Sequence, residues 1–260
     1  MTQNQRTAEA PGKTLSQEQV DQFRVRGYLS LGKVLDDELV AQLREEYDRL
    51  FAEARGAGTF RNLSSAEQAQ PGEPEEMLQI MQLCERSLLF RRLLFHEALL
   101  DVAEDLIGPN IQLFHDQALF KPAHHGGAVF WHQDNAYWKG APANLVSCWL
   151  TLDEVDASNG AMHLIPGSHL QPVAHPRSDT GRVLLDVKDQ VDPAQAVVLP
   201  LPAGGAMVHH CQTLHYTPPN RTERQRRAFV IHFMPPGTWS GHRHEYIPVS
   251  FSNPVLRMRV

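Results

Sequence analysis

FWHQDNAYW, residues 130–138, sets a histidine and an aspartate two positions apart among aromatic side chains. On a strand, residues i and i+2 share a face. His132 and Asp134 therefore point together, and Gln133 points away. An imidazole beside a carboxylate suits a divalent first-row metal. Taken alone, such a pair is more commonly a hydrogen-bonded polar patch on a half-exposed strand. A metal site needs a third ligand.

Residues 207–234, MVHHCQTLHYTPPNRTERQRRAFVIHFM, hold three competing histidines. His209 and His210 are adjacent, so on a strand they face opposite sides and cannot both join one site. His215 ends an apolar run just before the turn-rich YTPPNRT, where a strand would end at the mouth of a barrel. Arg226 follows 226 − 215 = 11 residues later. A tight hairpin would lay it alongside the strand of His215. Its planar, charged fork suits a carboxylate. The other arginines of NRTERQRR read as a solvated turn. Two histidines and one carboxylate make a facial triad, which leaves metal positions open, as non-haem Fe(II) oxygenases require.

The flanking sequence predicts the scaffold. After residue 110, short apolar or alternating runs follow one another, among them IQLFHDQALFKP, GAVFWHQD, LVSCWLTLD, GAMHLIPGSH and RRAFVIHFM. Gly, Pro, Asn and Asp separate them. Strands in series indicate a β-sandwich or jelly roll, not βαβ units. Before residue 110 the pattern is helical. SQEQVDQFRVRG (16–27) opens with a capping box, Ser16 with Gln19, and closes on Gly27. YLSL (28–31) is a short strand. In DDELVAQLREEYDRLFAEAR (36–55), Leu39, Leu43, Tyr47, Leu50 and Phe51 recur at helical spacing. Residues 78–107 read as two further helical segments, stopped by Gly108-Pro109. Residues 56–76 lack periodicity and read as a lid, a binding loop or a mobile segment.

The predicted fold is thus mainly β with α: a double-stranded β-helix (jelly roll, cupin-like) core covered on one sheet by N-terminal helices. Residues 1–13 are expected to be a disordered tail. Residues 14–260 form one domain, with a helical region at about 14–108, the core at about 110–235 and a C-terminal extension at about 236–260.

Composition narrows the function classes. The 260 residues carry a net charge of −6, so no broad basic face for nucleic acid is expected. No apolar run approaches the ~20 residues of a membrane span. The polar start carries no signal-peptide core. Cys84, Cys148 and Cys211 are scattered and odd in number, which predicts free, packed thiols and a cytoplasmic setting. The His124-His125 pair, flanked by glycines, reads as exposed loop. His242 and His244 match no motif.

WHQD, SCWLTLDEVDASNGAMHLIPGSH and HCQTLHYTPPNRTERQRRAF occur in that order, and together they resemble the phytanoyl-CoA dioxygenase-like branch of the Fe(II)/2-oxoglutarate-dependent oxygenases. The resemblance runs from about residue 15 to about 235. It implies Fe(II), 2-oxoglutarate as cosubstrate and O2, with a small-molecule substrate that the motifs leave open, as they leave the oligomeric state. It implies His132, Asp134 and His215 as iron ligands and Arg226 as the partner of the distal carboxylate of 2-oxoglutarate. Thr217 takes the family's Ser/Thr position two after the last ligand. Trp149 takes that of a pocket-wall tryptophan, a core role being the alternative, and Gln117 is placed to reach the cosubstrate. Tyr137 and Trp138 fall at the pocket mouth, with surface packing as the alternative for Trp138. Halogenating relatives replace the carboxylate ligand with a small residue. Asp134 is intact, so hydroxylation of an unactivated C–H is the default. The rival expectations are a cupin-type metalloenzyme without 2-oxoglutarate, which has no need of Arg226, and a silent binding protein, which has no need of the triad.

Overall fold

The computed structural model describes residues 14–64, 75–176, 187–241, 247–248 and 252–259. The chain opens with helix α1 (Gln17–Arg26), strand β1 (Tyr28–Lys33), helix α2 (Asp37–Ala57) and strands β2 (Arg61–Asn62) and β3 (Leu78–Met81). Helices α3 (Leu88–Leu93) and α4 (Glu97–Ile107) lead into β4 (Ile111–Lys121). Then come β5 (Val129–His132), the short helix α5 (Asn135–Trp138), β6 (Gly140–Ala141), β7 (Val146–Thr151) and β8 (Met162–Leu164). The core closes with β9 (Val197–Leu199), β10 (Gly205–His210), β11 (His215–Thr217) and β12 (Arg226–Met234). Strands β13 (Trp239–Ser240), β14 (Ile247–Pro248) and β15 (Val255–Arg257) follow.

The helix ends are those the sequence predicts. Ser16 and Gln19 exchange capping-box hydrogen bonds, and Gly27 terminates α1 with φ +80°. Asp36 caps α2 by accepting from the Leu39 N–H at 2.7 Å.

A large antiparallel sheet runs in the order β1-β10-β7-β12-β4-β3-β2, with β15 also paired to β4. A smaller sheet runs β5-β11-β8-β9, and β14-β13-β6 form a minor third. From β4 to β12 the chain keeps crossing between the first two sheets, as in a jelly roll. Alternation on the large sheet decides what each face meets. Val146, Cys148, Leu150, Ala206, Val208, Phe229, Ile231 and Phe233 form one core with the buried faces of the helices. Trp149, Met207, Ala228 and Val230 point the other way and pack on Met162, Leu164 and Leu201 near the small sheet. The helical layer thus covers the outer face, and the functional residues line the inner one.

Two expectations are corrected. Residues 78–81 are strand, not helix: Leu78, Gln79, Ile80 and Met81 pair with Phe120, Leu119, Ala118 and Gln117. A buried sheet edge there overrides a helical pattern. The N-terminal region is therefore not purely helical, because β1, β2 and β3 extend the large sheet. The C-terminal segment likewise returns to it through β15. Secondly, β11 and β12 are not hairpin partners. His215 lies in the small sheet and Arg226 in the large one, where its partner is Lys121 on β4. Pro218-Pro219 cannot donate to a ladder. Asn220 instead bonds the Gly126 backbone and the Pro122 carbonyl, so the connection crosses between sheets.

Cys84, Cys148 and Cys211 are free and buried. Among the described residues no helix is long and apolar enough to cross a membrane. Residues 65–74 of the 56–76 loop, the 1–13 tail and the His242/His244 pair lie outside the described residues. Truncating Phe229, fully buried with its ring 4.9 Å from that of Phe90, is expected to cost about 3–5 kcal/mol in urea unfolding of Phe229→Ala. A loss below about 1 kcal/mol would contradict the sheet–helix interface described.

Candidate metal centre

His132 and His215 are direct cross-strand partners on β5 and β11. Such partners bring their side chains together, and their rings lie 4.1 Å apart. Each ring is oriented by its own strand. His132 Nδ1 lies 2.7 Å from the Phe130 carbonyl, and His215 Nδ1 lies 2.9 Å from the Thr213 carbonyl. These carbonyls can only accept, so each Nδ1 carries the proton and each Nε2 presents a lone pair. Both Nε2 atoms face one oxygen. Asp134 Oδ1 is 3.5 Å from His132 Nε2 and 3.7 Å from His215 Nε2. One ligand atom from each residue lies within 4.8 Å of the others, and all three residues are buried. The strand itself stops at His132. Asp134 already has helical backbone angles and starts α5, so its carboxylate swings back over the imidazoles.

Its second oxygen is held from the large sheet. Asp134 Oδ2 accepts from Ser147 Oγ at 2.9 Å and lies 3.1 Å from His209 Nε2. Ser147 Oγ lies 2.8 Å from His232 Nδ1, and His232 Nε2 lies 2.9 Å from the Gln117 amide nitrogen. Gln79 in turn donates to the Gln117 carbonyl oxygen. With Ser147 donating to Asp134, every proton in this chain points toward the carboxylate. The register explains the row: His209 pairs with Ser147, Ser147 with His232, and His232 with His115. A bulge at Phe114 breaks the β4 register, and Phe114 and His115 both meet the Trp138 ring. Burial pushes His115 down to about 4 and His232 well below the usual imidazole range, so both are neutral at pH 7. Burial alone would raise the Asp134 carboxyl. His215, His132 and His209 outweigh it and hold the group well below the ordinary carboxylate range. A low carboxylate pKa and imidazoles fixed by Nδ1 hydrogen bonds suit a divalent cation.

Arg226 is fully buried, with its guanidinium 5.7 Å over the Trp149 ring. Nη1 donates to the Leu119 carbonyl at 3.1 Å, while Nε and Nη2 have no partner. The buried Thr217 hydroxyl has none either. An unmade hydrogen bond of this kind costs about 1–3 kcal/mol, more at a charged group. Such orphans fit an incoming carboxylate. Burial pulls Arg226 down only to about 10, so it keeps its charge.

Residues 23–228 match the family described as phytanoyl-CoA dioxygenase (PhyH). The chain belongs to that family. A probable alpha-ketoglutarate-dependent hypophosphite dioxygenase of Stutzerimonas stutzeri is 28% identical over 231 residues, covering 85% of this chain and 79% of that protein. The peroxisomal phytanoyl-CoA dioxygenase of Mus musculus is 27% identical, covering 84% and 68%. Among solved structures, a non-heme alpha-ketoglutarate-dependent carbocyclase from nogalamycin biosynthesis superposes with a TM-score of 0.74 at 23% identity, covering 89% and 90%, a likeness of fold. As a PhyH-family protein the chain is an Fe(II)/2-oxoglutarate-dependent dioxygenase that uses O2. The donor set described above fits that metal, and the orphaned donors fit that cosubstrate.

Of the residues singled out by sequence, the structure brings His132, Asp134 and His215 into one cluster and sets Arg226 on Trp149. Gln117 joins the polar chain to His232. Tyr137 stands edge-on to His132 at 5.8 Å between ring centres, and Trp138 packs on Phe114, His115 and His232. His209 is a partner of Asp134, while His210 faces away toward His169. His124 is exposed. Sequence reasoning missed Ser147, His232, Gln79 and Lys121. Alternation carried the signal for three of them: Ser147 shares a face with Trp149, His232 with Arg226, and Lys121 with Gln117.

Removing both grips on Asp134 Oδ2, as Ser147→Ala with His209→Phe, is expected to weaken Fe(II) affinity about 10–100-fold. An anaerobic competition titration against a chelating dye measures this. Unchanged affinity would show that Oδ2 needs no restraint.

Proposed function

We propose that this PhyH-family enzyme hydroxylates an unactivated C–H of a small molecule at iron held by His132, Asp134 and His215. The observation that carries the proposal is the pairing of that cluster with a buried guanidinium and hydroxyl whose donors lack partners. When bound, the iron with 2-oxoglutarate and O2 supplies the oxidising chemistry. One oxygen atom goes to the substrate and the other to succinate, with loss of CO2. The chain's own residues do the rest. His132 and His215 present Nε2 lone pairs because their Nδ1 protons are committed to backbone carbonyls. Asp134 offers Oδ1 alone. Arg226 and Thr217 receive the distal carboxylate of 2-oxoglutarate, and Trp149 backs the guanidinium so that it cannot swing away.

Gln117 orders His232 and so stiffens the wall behind the site. Tyr137 and Trp138, half-buried beside the ligands, are placed to meet substrate and keep bulk water from the reacting centre. Asp134 favours hydroxylation over halogenation, because a carboxylate occupies the metal position a halide would need. Arg226 favours a 2-oxoglutarate enzyme over a cupin-type metalloenzyme without that cosubstrate. The buried free cysteines suit a reducing, cytoplasmic setting.

Adding Fe(II) and 2-oxoglutarate under nitrogen is expected to produce a weak visible charge-transfer band that His132→Ala abolishes. A folded wild-type protein with no band would overturn the proposal. Arg226→Ala is expected to bind iron normally but to need far more 2-oxoglutarate, about 2–5 kcal/mol weaker. In a succinate-release screen of small metabolites, the product should gain one oxygen by mass spectrometry. A product that loses two hydrogens without gaining oxygen would assign a cyclase-type outcome instead.

A further inference from the structure

Lys121 is fully buried and takes no part in the functions assigned so far. It stands directly opposite Arg226 in the β4–β12 ladder. Directly opposed residues of an antiparallel pair share a face, with side chains starting about 5 Å apart, and like charges there repel. Lys121 Nζ donates to the Thr217 and Pro218 carbonyls at 3.1 and 2.6 Å. Its stem runs beneath Gly160, where a Cβ would come within 3.1 Å of Lys121 Cδ. Lys121 thus holds the backbone of the residue whose hydroxyl is orphaned, beside the guanidinium whose Nε and Nη2 are orphaned.

Among the described residues no carboxylate pairs with Lys121 or Arg226. The acids that act on them from further off are engaged elsewhere. Glu75 pairs with Arg221, and Asp153 pairs with Arg227 and Arg44. The remaining charged or titratable groups that act on Lys121 are Arg221 and Arg226, together with His163 of β8. Two buried basic groups facing one another, with an unpaired hydroxyl between the sheets, form a seat suited to an anion.

We propose that Lys121 and Arg226 form a paired-cation seat for the distal carboxylate of 2-oxoglutarate, Lys121 acting through Thr217 and through its charge. This rests on the 2-oxoglutarate site proposed above and deepens it. A consequence follows from the charges. Burial and then Arg226 disfavour the Lys121 ammonium. An arriving carboxylate favours it. Cosubstrate binding therefore takes up a proton, in the pH range between the Lys121 pKa before binding and that after it.

The test is calorimetric titration of the full Fe(II)-loaded chain under nitrogen. Two ligands are compared, 2-oxoglutarate and 2-oxopentanoate, which carries a neutral methyl in place of the distal carboxylate. Each is run in PIPES and in Tris, whose ionisation enthalpies differ. Wild type should take up protons with 2-oxoglutarate and not with 2-oxopentanoate. Lys121→Met should abolish the uptake and weaken 2-oxoglutarate about tenfold, equivalent to ~1.4 kcal/mol, while weakening 2-oxopentanoate much less. Should that variant fail to fold, Lys121→Gln is judged by the same comparison, and the wild-type difference between the two ligands stands by itself. Equal weakening of both ligands, or no uptake in wild type, would overturn the proposal and leave Lys121 a structural prop. Failure of wild type to bind 2-oxoglutarate at all would instead overturn the functional proposal on which it rests.

Discussion

Asp134 divides its two carboxylate oxygens between the sheets. Oδ2 is held by Ser147 and His209 of the large sheet, and Oδ1 faces the two Nε2 atoms of the small one. A buried carboxylate without partners would cost several kcal/mol. Here two donors offset that cost and also fix the geometry, leaving a single oxygen free for a metal. Sheet spacing, imidazole tautomers and carboxylate orientation therefore depend on one another. His132, Asp134 and His215 cannot meet in this way unless the two sheets are packed in this register.

That register explains the rest of the interior. Successive rows of the inner face of the large sheet serve different tasks. The row His209, Ser147, His232, His115 supports the carboxylate. The next row carries Trp149 and Gln117, and the last carries Arg226 and Lys121. The gradient runs from the neutral imidazoles of His115 and His232 near the Asp134 carboxylate to permanent or latent positive charge at the far end. A ligand with a chelating end and a distal carboxylate matches it. The outer face of the same strands is apolar and helix-covered.

Part of this was legible in the sequence. Spacing and a following turn singled out His132, Asp134 and His215, although Asp134 itself has left the strand, and alternation set His209 and His210 on opposite faces. The capping box of α1 and the stripe of α2 needed only local chemistry. What failed were relations between distant segments. Residues 78–81 form a strand because β4 offers them an edge, which no local pattern reveals. The 11-residue interval from His215 to Arg226 looked like a hairpin, yet Pro218-Pro219 and the Asn220 bonds send the chain across to the other sheet. The row that grips Asp134 joins residues 134, 147, 209 and 232. Each had a visible face, but their shared row is a fact of cross-strand register. The same holds for Lys121, an ordinary strand-end lysine until β12 sets Arg226 opposite it.

In the proposed complex the chain holds its metal through two Nε2 atoms and one carboxylate oxygen, with a carboxylate-bearing cosubstrate anchored on Arg226. A crystal structure of the Fe(II) and 2-oxoglutarate complex, grown and frozen under nitrogen, tests it most directly. Iron is expected on His132 Nε2, His215 Nε2 and Asp134 Oδ1, with Oδ2 still on Ser147 and His209. The distal carboxylate is expected on Arg226 and the Thr217 hydroxyl. Iron bound by both Asp134 oxygens or by His209, or a distal carboxylate lying away from Arg226, would contradict it.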